Sequence, residues 1–217
     1  MLLAKNGHKI TGVDIDEYML ERLYKKLIGL NNVNILKADT LKDNWGENFD
    51  LIILACNIMM NIETLDDYEK AQKTFIKNSS NALKKGGYLY LDFTLYNDPE
   101  KVFGTVEKEW TIFEGLDDNG ITGKFIMCKG GMYNKNTQMC TGKRRIELNQ
   151  QNGKQHVYEF IVKKRIPTLI EIEKWLQEND FNIEQKYGNY NMEPISGKTN
   201  KAIIYAKKVV SIQPHRT

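Results

Sequence analysis

The run Leu51-Ile52-Ile53-Leu54-Ala55 constrains the fold most. Consecutive branched apolar residues suit a strand covered on both faces, as in a parallel sheet flanked by helices. Lys9 to Val13 and Val33 to Leu36 read as two more such strands. Between them Met19, Leu20, Leu23, Leu27 and Ile28 recur at helical spacing from Glu17 to about Ile28. Asp16 stands before this helix as an N-cap and Gly29 after it as a stop. A second helix is expected from about Leu65 to Leu83, with Tyr68, Ala71, Phe75, Ile76, Ala82 and Leu83 inward. Lys84 and Lys85 suit its C-terminus, and Gly86-Gly87 its end. Tyr88 to Phe93 is the next strand. This alternation is the order of an open, doubly wound, mostly parallel α/β sheet.

From about Glu109 to Ile166 the pattern changes. Trp110 to Phe113, Gly123 to Cys128, Gln138 to Glu147 and His156 to Lys164 are short alternating runs. Turn signals separate them at Asp118-Asn119-Gly120, Gly130-Gly131 and Gln151-Asn152-Gly153. They predict an antiparallel β insert over 109–165, between core segments 1–108 and 166–208. Pro167 opens a helix carrying Leu169, Ile172, Trp175 and Leu176, which Asn179-Asp180 ends. Phe181 to Tyr187 and Lys201 to Ala206 close the α/β part, and 209–217 reads as a loose tail.

Charge is uneven. The net charge is +3, but Lys124 to Arg165 holds ten Lys/Arg against two Glu, a net +8. Such a stretch is either a solvated lysine-rich surface or a face that meets an anionic ligand. Cys56, Cys128 and Cys140 are an odd count and lie far apart, which argues for reduced thiols in a cytoplasmic protein. No apolar run approaches the ~20 residues of a membrane span. Met1-Leu2-Leu3-Ala4 is followed at once by Lys5, so no secretory h-region is visible.

Met1 to Asn6 reads as the last turns of a helix stopped by Gly7, and the strand from Lys9 ends in Asp14. In dinucleotide-type folds an acidic residue at this strand end bonds ribose hydroxyls, about 20 residues after a glycine-rich loop. Counting back from Asp14 falls before Met1. The expectation is an N-terminally shortened product or a misplaced start, with the first strand and its glycine loop missing.

Four segments in register carry a resemblance. They are Gly7 to Asp16, Leu36-Lys37-Ala38-Asp39-Thr40-Leu41, Phe49-Asp50-Leu51-Ile52-Ile53, and Ala82 to Leu89. Together they resemble the class I S-adenosylmethionine-dependent methyltransferases, and the resemblance spans the α/β part. It implies S-adenosylmethionine as cofactor, with Asp14 on the ribose hydroxyls and Ile15 on one adenine face. It implies Asp39 on the adenine amino group and the Thr40 backbone beside the ring. Ala55 and Cys56 would border the methionine moiety and the acceptor, with Asn57. Cys56 itself reads as a small buried hydrophobe. Met59 and Met60 read as packing residues.

By the same resemblance, the insert sits where several small-molecule N-methyltransferases build an acceptor lid. A small-molecule acceptor is expected, with an amine and an anionic molecule as the candidates, and a homodimer through the insert as a further expectation. Methyl transfer from a sulfonium needs mainly alignment and exclusion of water, and an amine must be neutral to attack. His156, Tyr133, Tyr158 and Tyr190 are candidate bases, none singled out. No metal site is read. An RNA substrate, a non-catalytic remnant and a nicotinamide-dependent enzyme are the alternatives. No stacked aromatic and basic RNA motif is present, and the closing antiparallel strands favour the methyltransferase.

Overall fold

The computed structural model describes residues 2–117 and 119–209. The tail expected over 210–217 lies outside them. A short helix α1 (Leu2–Lys5) ends at Gly7, whose φ of 87° suits the stop the sequence implied. Strands β1 (Ile10–Asp14) and β2 (Val33–Lys37) pair in parallel. Helix α2 (Glu17–Lys26) joins them, and the Asp16 side chain accepts the Met19 N–H as its N-cap. Leu20 is buried, but Met19 and Ile28, expected on the inner stripe, are 56% and 87% exposed. The helix stops at Lys26, before Ile28 can join its packed face.

The apolar run becomes β3 (Phe49–Leu54), followed by α3 (Tyr68–Ala82) and β4 (Leu83–Thr94). The helix ends where expected, but Lys84 to Gly87 already belong to β4. Phe49 pairs with Leu83 and Leu51 with Tyr88, so the residues between form a bulge. Gly86 turns this bulge with φ 75°, and Lys84 pairs with Asp50.

The expected single, mostly parallel sheet is divided. Parallel pairing is confined to β1–β2 and β3–β4. The larger α/β sheet runs β10-β11-β4-β3, with β10 (Phe181–Tyr187) and β11 (Lys201–Lys208) antiparallel. Among the described residues no strand lies between β1 and β3, so their backbones do not share a ladder.

Helix α3 and helix α5 (Leu169–Glu178) cover one face of the four-stranded sheet. Phe75, Ile76, Ile172, Trp175 and Leu176 pack there on Leu89, Leu91, Ala202, Ile204 and Ala206. Each such large side chain contributes roughly 1.5–3 kcal/mol by leaving water. Thr168 and Glu171 form a capping box that starts α5. Side chains alternate along a strand, so Leu51 and Ile53 face the other way and stay 44% and 47% exposed.

A third, antiparallel sheet holds β5 (Trp110–Leu116), β6 (Thr122–Met127), β7 (Met132–Asn134), β8 (Met139–Asn149) and β9 (Gln155–Arg165). The sequence did not indicate α4 (Pro99–Phe103), capped by Asp98, because five residues leave no periodicity. Arg165 ties this sheet to the core. It is 6% exposed, donates to Gln72, Glu69 and Glu171, and lies 5.6 Å from the Trp175 ring. No described helix is long and apolar enough to cross a membrane.

Candidate functional site

The six expected site residues all fall at or just beyond the C-terminal ends of parallel strands, the edge where open α/β sheets bind ligands. Asp14 closes β1. Its carbonyl accepts from the Ala38 N–H at 3.0 Å, which draws the ends of β1 and β2 together. Its Oδ1 accepts the Asp16 N–H at 2.9 Å, which leaves Oδ2 without a described partner. Ile15 beside it is 62% exposed and offers an apolar face.

Asp39 is more heavily engaged. Its Oδ1 accepts the Leu41 N–H at 2.9 Å and its Oδ2 pairs with the Lys42 ammonium at 2.9 Å. The Lys42 hydrogen bond, then the Leu41 N–H, hold this carboxyl below the usual range. An adenine amino group there would share an acceptor already in use. The Thr40 carbonyl accepts from Trp45 Nε1 at 2.9 Å and from Asn78 Nδ2 at 3.1 Å, which fastens this loop to α3.

Ala55 and Cys56 follow β3 in the other sheet. Cys56 and Asn57 have φ of 60° and 62°. Two consecutive left-handed non-glycine residues are uncommon, and such strain clusters at functional sites. The turn is pinned on both sides. The Cys56 N–H donates to Asp92 Oδ1 at 2.8 Å, and the Thr94 N–H donates to Asn57 Oδ1 at 2.5 Å. Cys56 is exposed, against the expectation of a buried hydrophobe. The left-handed turn carries its side chain off the strand, whereas Cys128 and Cys140 are the buried thiols.

Asp92 was not expected. It is 3% exposed and also accepts from the Tyr90 hydroxyl at 3.0 Å and the Tyr190 hydroxyl at 3.1 Å. Burial and this carboxylate push the Tyr90 hydroxyl well above its ordinary range. Lys201 Nζ donates to the Tyr190 oxygen at 3.2 Å. The available signal was a lone carboxylate inside the apolar run Tyr88 to Phe93. Among the candidate bases, Tyr190 alone is thus linked to a strand tip. His156 stacks on Tyr158 and lies nine residues along β9 from Arg165, about 30 Å of strand. It is at the far end of the insert, not over the strand tips.

The structure therefore joins Asp14, Ile15, Asp39 and Thr40 through β1–β2, and holds Ala55 and Cys56 on a separate sheet. A groove of about 1420 Å³ runs between the insert and the core, lined by Asp39, Tyr68, Met139, Phe160 and Lys163 among others. Among the described residues no cluster of His, Cys, Asp and Glu could hold a metal.

Residues 1–91 match the family model described as a methyltransferase domain. The matched segment, under half of the chain, runs from α1 into β4. Solved structures share the fold over nearly the whole chain. A S-adenosylmethionine-dependent methyltransferase from Clostridium acetobutylicum is 21% identical with TM-score 0.69, over 92% of this chain and 75% of that one. The CcbJ methyltransferase from Streptomyces caelestis is 13% identical with TM-score 0.71, over 96% and 78%. CalS10, an amino pentose methyltransferase from Micromonospora echinaspora, is 13% identical with TM-score 0.62, over 94% and 75%. No curated protein matches the chain in sequence. Chemically, the open Asp14 Oδ2 can accept from a sugar hydroxyl and the exposed Ile15 can pack on a nucleobase face.

Proposed function

We propose that this methyltransferase domain moves a methyl group from S-adenosylmethionine to a small-molecule amine. The cofactor supplies an activated methyl. The chain's own residues bind and orient. Asp14 holds the ribose, Ile15 and the Thr40 backbone flank the adenine, and Asp39 takes its amino group. Ala55 and Cys56 border the transfer point. The observation that carries the reading is the pair of strand tips. Asp14 with Ile15 ends β1, and the strained Cys56–Asn57 turn, pinned by Asp92 and Thr94, ends β3. A turn held this rigidly suits in-line alignment, in which an ångström of misplacement is costly.

The binding-competent sheet is doubly wound, with a further parallel strand between β1 and β3. In support, the Ile10 N–H donates to the Asn32 carbonyl, and Asp14 accepts from Ala38. In a parallel ladder alternate residues face one neighbour, so Thr11 and Val13 direct their amides to the open side of β1. A small acceptor is favoured over RNA by the insert's charged face. There Lys124 pairs with Glu114, Lys143 with Glu159, and Arg145 with Glu109 and Glu147. Nucleic acid would have to displace those carboxylates. The insert serves as acceptor lid or homodimer surface, and three free cysteines fit a reducing cytoplasm.

Isothermal titration of S-adenosylhomocysteine tests the reading. Saturable binding is expected, weakened about tenfold in Asp14→Asn, the usual cost of a hydrogen bond to a charged group. Absence of binding, or an Asp14→Asn variant that binds as tightly, would overturn it.

A further inference from the structure

The basic residues of the insert divide by face. On the face of β8 and β9 that bears Lys143, Arg145, Glu147 and Glu159, the half-buried Lys143 and Arg145 and the buried Arg165 have carboxylate partners, and Lys163, which is exposed, has none among the described residues. The opposite face bears Cys140, Gly142, Arg144 and Ile146 of β8, opposed by Lys164, Val162, Phe160 and Tyr158 of β9. Arg144 and Lys164 are half-buried there, and neither has a carboxylate within ion-pair distance among the described residues. Arg144 Nη1 donates only to the Lys143 carbonyl, at 3.1 Å. Lys164 Nζ donates to the amide oxygen of Asn61 at 2.5 Å.

Three details turn these cations into one site. Four residues separate Arg144 from Cys140, the pairing partner of Lys164, so fully extended side chains would stand well apart. The guanidinium instead folds back along β8. A Cβ on Gly142 would lie 2.9 Å from Arg144 Nη1, so the missing side chain at 142 is what admits it. The fold brings Arg144 one row nearer Lys164. Beyond Lys164, Asn61 Nδ2 contacts the Cys56 carbonyl at 3.4 Å, so the ammonium stands over the strained turn that ends β3. The surroundings are partly dry. Burial pulls both Lys164 and Arg144 below their ordinary ranges and pushes the buried Cys140 thiol up. Tyr68 and Tyr133 nearby are held up by burial too. Two like charges kept half-dry without a carboxylate in ion-pair contact, Glu63 acting on Lys164 only from farther off, are costly, and a ligand anion reduces that cost.

We propose that Arg144 and Lys164 form an oxyanion-binding subsite that holds the carboxylate or phosphate of the methyl acceptor beside the Cys56 turn. The proposal rests on the methyltransferase reading for the word acceptor, and names its substrate class: small amines that also carry an anionic group. The guanidinium fork grips two oxygens of the anion and the ammonium caps a third or bridges. The amine end then lies toward the strand tips.

The test uses the whole chain, without cofactor, at fixed ionic strength. Inorganic pyrophosphate and succinate are titrated separately, which tells a phosphate subsite from a carboxylate one. One of them is expected to bind saturably and to shift the amide resonances of Gly142 and Asn61 in the unaltered protein. Arg144→Gln and Lys164→Gln should each weaken it about tenfold. Lys124→Gln, on the ion-paired face, should leave it unchanged. Failure of both anions to bind, unshifted Gly142 and Asn61, or equal loss in Lys124→Gln would overturn the subsite. Anion binding without S-adenosylhomocysteine binding would sink the cofactor reading and leave the subsite standing.

Discussion

The β1–β2 unit and the four-stranded sheet differ in what they bury. The larger sheet, with α3 and α5, holds nearly all of the continuous core, including Ile76, Leu89, Leu91, Ile172 and Leu176 at 0% exposure. The β1–β2 unit buries Ala4, Leu20 and Ala38, while Tyr18, Met19 and Tyr24 of its helix are more than half exposed. A two-stranded sheet is marginal by itself. The residues proposed to face the nucleotide, Asp14, Ile15, Asp39 and Thr40, thus belong to the weaker unit, and the proposed transfer turn at Cys56 to the stronger one. On the proposed function, stability and cofactor recognition are separated along the chain, and ligand binding is where the two meet.

Breaking the stronger unit should give the largest effect. Arg165→Ala removes the charge shared by Glu69, Glu171 and Gln72 and strands them near the core. Urea unfolding should show a loss of ~3–5 kcal/mol, the cost of breaking an ion-pair network around a buried charge and leaving the buried Gln72 oxygen without its donor. A wild-type midpoint in this variant would mean that the insert is not anchored through Arg165.

The same chemical change in each unit sharpens the contrast. Ile76→Ala should cost ~2–5 kcal/mol in the main transition. Leu20→Ala should move that transition by less than about 1 kcal/mol and instead collapse amide-exchange protection over residues 10–37. Equal losses in the main transition would show that the two units unfold as one.

A smaller effect is set by pH. Burial works against the Glu171 carboxylate, but the Thr168 N–H and Arg165 outweigh it and depress its titration. A depressed carboxyl stabilises the fold above its unfolded value, near 4.3. That stability fades as pH falls through this value and is gone below the folded one. Urea midpoints should drop between pH 6 and pH 3, and Glu171→Gln should flatten the drop. An unchanged slope would remove Glu171 from the linkage.

Much of the α/β order was legible because its signals are local. Asp16 before α2, Gly7 after α1, the run that becomes β3 and the Pro167–Thr168 start of α5 each act within a few residues. Lys84 to Gly87 misled for the same reason. They are good helix-end residues, but Gly86 served a strand bulge, which depends on the register against β3. The candidate site was half legible. Asp14 and Ile15 stand at the tip of β1 as the pattern implied, whereas Asp92 and Cys56 gained their roles from a strand 36 residues away.

The sequence alone determined most of the strands and longer helices, where the antiparallel insert begins, and that an acidic residue ends the first strand of this chain. Tertiary structure decided the rest. It divided the sheets, stood Cys56 out on a left-handed turn, buried Asp92 beneath two tyrosines, and left Arg144 and Lys164 half-buried on one face of the insert without a carboxylate in ion-pair contact. Periodicity and capping are written within one or two turns of backbone. Pairing of charges, burial of a carboxylate and closure of a ladder need groups far apart in sequence to meet, and only the folded chain fixes those meetings.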